Sequence, residues 1–107
     1  MKIYLKMKNE INKSNLNKAF RELRQNGYFA KQNFWCCQTC AWADIPDEKS
    51  KKVVFYHNQD NQDLKQNGEC FLSWNGDGKL ITKILKNNNI KVDWSGNESQ
   101  RIKIYLQ

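Results

Sequence analysis

The sequence predicts an α+β fold: a mixed β-sheet of about five strands with two main helices packed on it. Three observations carry that expectation. Apolar residues fall at helical spacing near the N-terminus and again after residue 77. Alternating or compact apolar runs recur between and after those stretches, as strands require. No repeat, low-complexity tract or linker divides the 107 residues, so residues 1–107 read as a single domain.

Each element has a local reason. Ile3, Leu5 and Met7 alternate with Tyr4 and Lys6, which suggests an edge strand or a loose tail over 1–8. Ser14 is a candidate N-cap, and Leu16, Ala19, Phe20 and Leu23 follow on one helical face; Gly27 closes a helix over 14–26. Tyr28 to Trp35 is aromatic-rich without helical spacing and reads as a strand leading into a cysteine cluster. Val53-Val54-Phe55-Tyr56-His57 is a compact apolar run suited to a central strand. A single helical turn fits Asp60 to Lys65.

Glu69 to Trp74 alternates, with Cys70, Leu72 and Trp74 on one face and Phe71 and Ser73 on the other. Asn75-Gly76-Asp77-Gly78 turns the chain, and Asp77 can cap a helix whose buried face is Leu80, Ile81, Ile84 and Leu85. Asn88 or Asn89 can end it in the left-handed conformation. Ile90, Val92 and Trp94 then alternate, Ser95-Gly96-Asn97 turns, and Ile102, Ile104 and Leu106 alternate again, a C-terminal hairpin. Strand 69–74, the helix and strand 90–94 form a βαβ unit, expected to pair in parallel.

Composition narrows the function. No run of apolar residues is long enough to span a membrane, and the lysine-broken start lacks a signal core, which points to a cytoplasmic protein. Thiols stay reduced there, so the four cysteines do not read as a disulfide framework. The net charge of +7 comes mostly from lysine scattered among asparagines, the pattern of a solvated surface more than of a phosphate-binding stripe.

The chemistry concentrates in Phe34-Trp35-Cys36-Cys37-Gln38-Thr39-Cys40-Ala41-Trp42. Cys37 and Cys40 have the two-residue spacing at which both sulfurs can reach one tetrahedral zinc ion. The remaining ligands are limited to Cys36, His57 and Cys70; Cys36 is disfavoured because neighbours on an extended backbone point to opposite sides. A zinc site of Cys37, Cys40, His57 and Cys70 is the metal reading. The thioredoxin comparison fails, because Trp35 is displaced by one position from the Cys37–Cys40 pair and Pro46 is too close in sequence. A hydrolytic Cys–His pair, with His57 as base and Asp60 orienting it, lacks any surrounding signature. Free cysteines also pack simply as small apolar side chains, with Trp35, Trp42 and Phe34 filling space around a sharp turn.

Two motifs, Cys36-Cys37-Gln38-Thr39-Cys40 and Tyr56-His57-Asn58-Gln59-Asp60, together resemble a small bacterial family defined only as a domain of unknown function. The likeness extends through Cys70 to Trp74, Gly76 to Leu85, Val92 to Gly96 and Arg101-Ile102, about residues 15–105. It implies one fold and no assigned activity; if the two motifs occur together, His57 belongs beside Cys37 and Cys40.

The functional expectation is a non-enzymatic interaction or accessory module that binds another macromolecule through a surface around Trp35, Trp42, His57 and Asp60, with no cofactor. The alternative is a small zinc-binding or thiol-dependent protein. A third is an RNA-binding module, which requires aromatic side chains exposed on the sheet.

Overall fold

A computed structural model describes the backbone of residues 2–106 and the side chains of residues 13–106. Four helices and five strands follow one another: α1 (Lys2–Gln25), β1 (Phe29–Lys31), α2 (Gln38–Ala43), β2 (Val53–Phe55), α3 (Asn58–Asn67), β3 (Glu69–Asn75), α4 (Gly78–Asn87), β4 (Lys91–Asp93) and β5 (Ile102–Tyr105). A 3-10 turn at Asp47–Lys49 lies between α2 and β2. The sheet is mixed, in the order β1-β2-β3-β5-β4, and the fold is α+β as expected.

The N-terminal expectation is overturned. No edge strand or tail occupies the start; α1 runs from Lys2, and Ser14 lies inside it. Neither Gly nor Pro interrupts residues 2–25, and half of the segment is Lys, Leu, Glu or Arg, all good helix formers. Extending an existing helix costs far less than nucleating one, so a serine within it does not force a start.

The strand expected over Tyr28 to Trp35 is only three residues long, because Asn33 (φ 52°) and Trp35 (φ 63°) take the left-handed conformation. The single turn expected near Asp60 is a full helix, α3, ended by Gly68 in the left-handed region at φ 72°. Asp77 does cap α4, accepting from the backbone N–H groups of Lys79 and Leu80, and Asn89 takes the left-handed position after it.

The βαβ unit needs one correction. Strands β3 and β4 run in the same direction but do not pair; β5 lies between them, antiparallel to both. The short turn after β4 makes β5 its hairpin neighbour, and the other edge of β5 then takes β3. The one parallel pair is β1 with β2.

Strand β3 joins the two halves of the sheet. Its second half, Ser73–Asn75, pairs with β2, and its first half, Glu69–Leu72, pairs with β5. Helix α3 packs along β3 where β2 has ended. The main core gathers Leu16, Phe20 and Leu23 of α1, Leu64 of α3, and Ile81, Ile84 and Leu85 of α4 over Val54, Leu72, Ile102 and Ile104. A smaller cluster on the reverse face sets Ala41, Ile45 and Trp42 against Val53 and Phe55. Period-two alternation along β2 explains the division: Val54 and Tyr56 go to one side, Val53 and Phe55 to the other.

Candidate metal centre

The cysteine turn is built by backbone geometry before any sulfur is considered. With Asn33 and Trp35 left-handed, the chain bends away from β1 and docks on the segment after β2. Phe34 donates its N–H to the Tyr56 carbonyl at 2.8 Å, and Asn58 donates to the Trp35 carbonyl at 2.9 Å. Phe34 then packs edge-on against Phe29 and Phe55, at 5.6 and 5.9 Å between ring centroids, while Trp42 meets Phe55 at 5.2 Å. These rings anchor both ends of the turn, so Cys36, Cys37 and Cys40 are held at the surface between them.

Cys37 is the N-cap of α2 and Cys40 lies in its first turn. The sulfurs of Cys36, Cys37 and Cys40 all lie within 4.8 Å of one another. Tetrahedral zinc with bonds of about 2.3 Å needs sulfurs about 3.8 Å apart, so small side-chain rotations would close the set. Cys36, set aside on the assumption of an extended backbone, belongs to the group because residues 35–37 form a bend.

The electrostatics favour one thiolate among neighbouring thiols. The Cys37 thiol makes no N-cap hydrogen bond of good geometry. The backbone N–H of Cys40 is nevertheless close enough to be the main cause lowering its pKa, helped by the Cys40 thiol. Cys40 is pushed up to about 11, chiefly through its hydrogen bond with Cys37 and then with Cys36. Cys37 therefore ionises first, and Cys40 keeps its proton as a donor to it.

The four-residue set Cys37, Cys40, His57 and Cys70 is not brought together. Cys70 is only 3% exposed and belongs to the helix-covered core, whereas α2 packs on the opposite face of the sheet. Burial, followed by the nearby Asp60 carboxylate, pushes the Cys70 thiol up to about 12. His57 follows β2 and caps α3: its Nδ1 accepts from the Asp60 N–H, and the Asp60 carboxylate accepts from the His57 N–H, each at 3.4 Å. The same carboxylate lies 3.2 Å from His57 Nε2 and 2.7 Å from the Arg101 guanidinium. The two sequence motifs are thus neighbours through Trp35 and Asn58, but the imidazole is engaged with its own helix.

The expected contact surface also divides. Trp35 is 49% exposed and donates its indole N–H to Asp44 at 3.1 Å, while Trp42 is half-buried. His57 and Asp60, at 7% and 5% exposed, are interior groups of a capping network and cannot form a contact face. Arg101, the third member of that network, is marked in the sequence only by the Arg101-Ile102 pair that the family resemblance includes, with no role attached.

No helix among the described residues is long and apolar enough to cross a membrane. No curated protein and no solved structure matches the chain. Residues 8–107, which contain the sulfur cluster, the capping network and all five strands, match the family described as Domain of unknown function (DUF6891), and the chain belongs to that family.

Proposed function

We propose that this domain is a non-enzymatic accessory module that holds a thiophilic metal ion, zinc foremost, through Cys36, Cys37 and Cys40. The supporting observation is the convergence of three sulfurs within 4.8 Å on an anchored surface turn. Soft thiolates select zinc or copper(I) over magnesium or calcium. Three protein ligands leave a fourth position of a tetrahedral ion for solvent or a partner's side chain. Trp35 immediately precedes Cys36 in the chain and is exposed, in a backbone conformation that costs a non-glycine residue about 1–2 kcal/mol. A strained, exposed tryptophan one residue before the sulfur cluster suits an interface anchor.

The test is metal analysis of reduced protein after addition of one equivalent of zinc and removal of the excess. One ion per chain is expected, with three thiols protected from alkylation and released by chelator. Cobalt(II) in place of zinc should show thiolate charge-transfer absorption. Cys40→Ser should abolish retention, and Cys70→Ala should leave the stoichiometry unchanged. Freely reactive thiols and no retained ion would sink the reading. Because Cys40 must lose its proton to bind, affinity should rise with pH from neutrality toward about 11.

A further inference from the structure

The reverse face of β3, β5 and β4 carries side chains that the metal reading does not use. Helices α1, α3 and α4 all contribute to the core on the other side. The small cluster under α2 covers β1 and β2 only. Along the uncovered half, strand register sets Phe71 beside Lys103 and Lys103 beside Asp93. In the next row Glu69, Tyr105 and Lys91 are aligned. Phe71 is 43% exposed, one of two large apolar side chains so exposed among the described residues.

Cations surround these rings. Lys103 Nζ is 5.5 Å from the Phe71 ring centre and 5.1 Å from that of Tyr105, so the two rings share one ammonium. Lys91 lies 5.4 Å from Tyr105, and Arg101 lies 5.5 Å from Phe71. The Arg101 guanidinium is held in place by Asp60 at 2.7 Å and by the Phe71 carbonyl at 2.8 Å, while its Nε has no hydrogen-bond partner. An open groove of about 620 Å³ runs along this face, lined by Phe71, Asp93, Trp94, Gln100, Arg101 and Lys103. That volume is ample for one or two nucleotides, since small-ligand clefts run from about 300 to 1,000 Å³.

We propose that this face binds single-stranded RNA. Base stacking on Phe71 supplies sequence-tolerant affinity, as aromatic side chains on an open sheet do for unpaired bases. Lys91 and Lys103, the latter 3.5 Å from Glu69, supply the cations for phosphates, while Arg101 stays bound to Asp60 and braces the Phe71 ring. Asp93 accepts from exocyclic base amines, a contact that a continuous basic stripe would lack. A protein partner would find here only one exposed aromatic ring among five charged side chains, the composition of an interface rim more than of a core.

Fluorescence anisotropy with a labelled unstructured RNA dodecamer, at low and moderate salt and with zinc present, tests the proposal. Saturable binding is expected, weakening with salt. Phe71→Ala should weaken it about 5- to 100-fold, the loss of one stacked base. Lys103→Gln should flatten the salt dependence by about 0.7 in log–log slope, while Lys83→Gln on the exposed side of α4 should change nothing. Absence of binding by the folded wild-type protein overturns the proposal, as does an unchanged affinity for Phe71→Ala with its circular dichroism intact. Equal or tighter binding of the matching DNA overturns the choice of RNA. Repeating the titration with the zinc-free Cys40→Ser protein keeps the two readings separate, because this groove contains none of the sulfurs.

Discussion

Among single residues, Gly78 shows how little room the sheet end leaves. A Cβ there would come within 2.4 Å of the Trp94 ring and 2.8 Å of the Trp74 ring. Those indoles pack edge to face, 5.4 Å apart, and their N–H groups donate to the carbonyls of Asn97 and Gln100. Gly78→Ala should therefore separate the pair and destabilise the fold by about 1–3 kcal/mol, the usual cost of overpacking. Chemical denaturation together with near-ultraviolet circular dichroism checks this; an unchanged tryptophan signal would refute it. The thiols give a second residue-scale prediction. Alkylation at neutral pH should modify Cys37 ahead of Cys40, because thiolate and not thiol reacts. Cys70 should react only on unfolding, since it is buried and its pKa is pushed up to about 12.

At the scale of elements, α3 depends on its first turn. Its composition is strongly polar, Asn58-Gln59-Asp60-Asn61-Gln62-Asp63, and Leu64 is its one buried apolar side chain. A helix with so little to bury needs its ends fixed, which the reciprocal His57–Asp60 capping box and Gly68 accomplish. Asp60→Ala removes the cap and also leaves Arg101 without its carboxylate. A loss of about 2–4 kcal/mol is expected, combining a helix cap with a largely buried ion pair. Urea midpoints would measure it, and a loss below that of a surface substitution would show that the network is dispensable. This helix also marks the limit of sequence reading. Alternation identified β3 and β5, and the Asp77 cap with its apolar face identified α4. The extent of α3 was hidden because a capping histidine carries no apolar period. The place of Cys36 is illegible for a similar reason: membership of the sulfur group depends on a left-handed Trp35, and no residue preference predicts a tryptophan there. The exposure of Phe71 is half legible, since alternation sets it opposite Cys70 and Leu72, but only the topology shows that, among the described residues, no helix covers that face.

For the molecule as a whole, the buried acidic hydrogens predict an alkaline limit. Cys70 has its pKa raised from 9.0 to about 12, and burial raises that of Tyr56 as well. Such groups hold their protons in the folded state, so their contribution is fully present below pH 9. It is lost as pH climbs from about 9 toward 12, where unfolded chains ionise first. Lys13, whose pKa is lowered by burial, recovers part of that loss as it sheds its own proton. Urea midpoints should fall steadily above about pH 9, and Cys70→Ala should flatten the fall; a flat profile in the wild-type protein would refute it.

The place of β5 between β3 and β4 has a consequence for how the chain acquires its shape. During synthesis β1, β2 and β3 can assemble while the rest is still being made, but β4 has no strand to pair with until residues 102–105 follow. Until then the edge of β3 and the whole of β4 are unpaired ladders, open to adhesion with neighbouring chains. Lys91 and Asp93 put a charge at each end of β4 itself, a feature that discourages such adhesion while the strand waits for its partner.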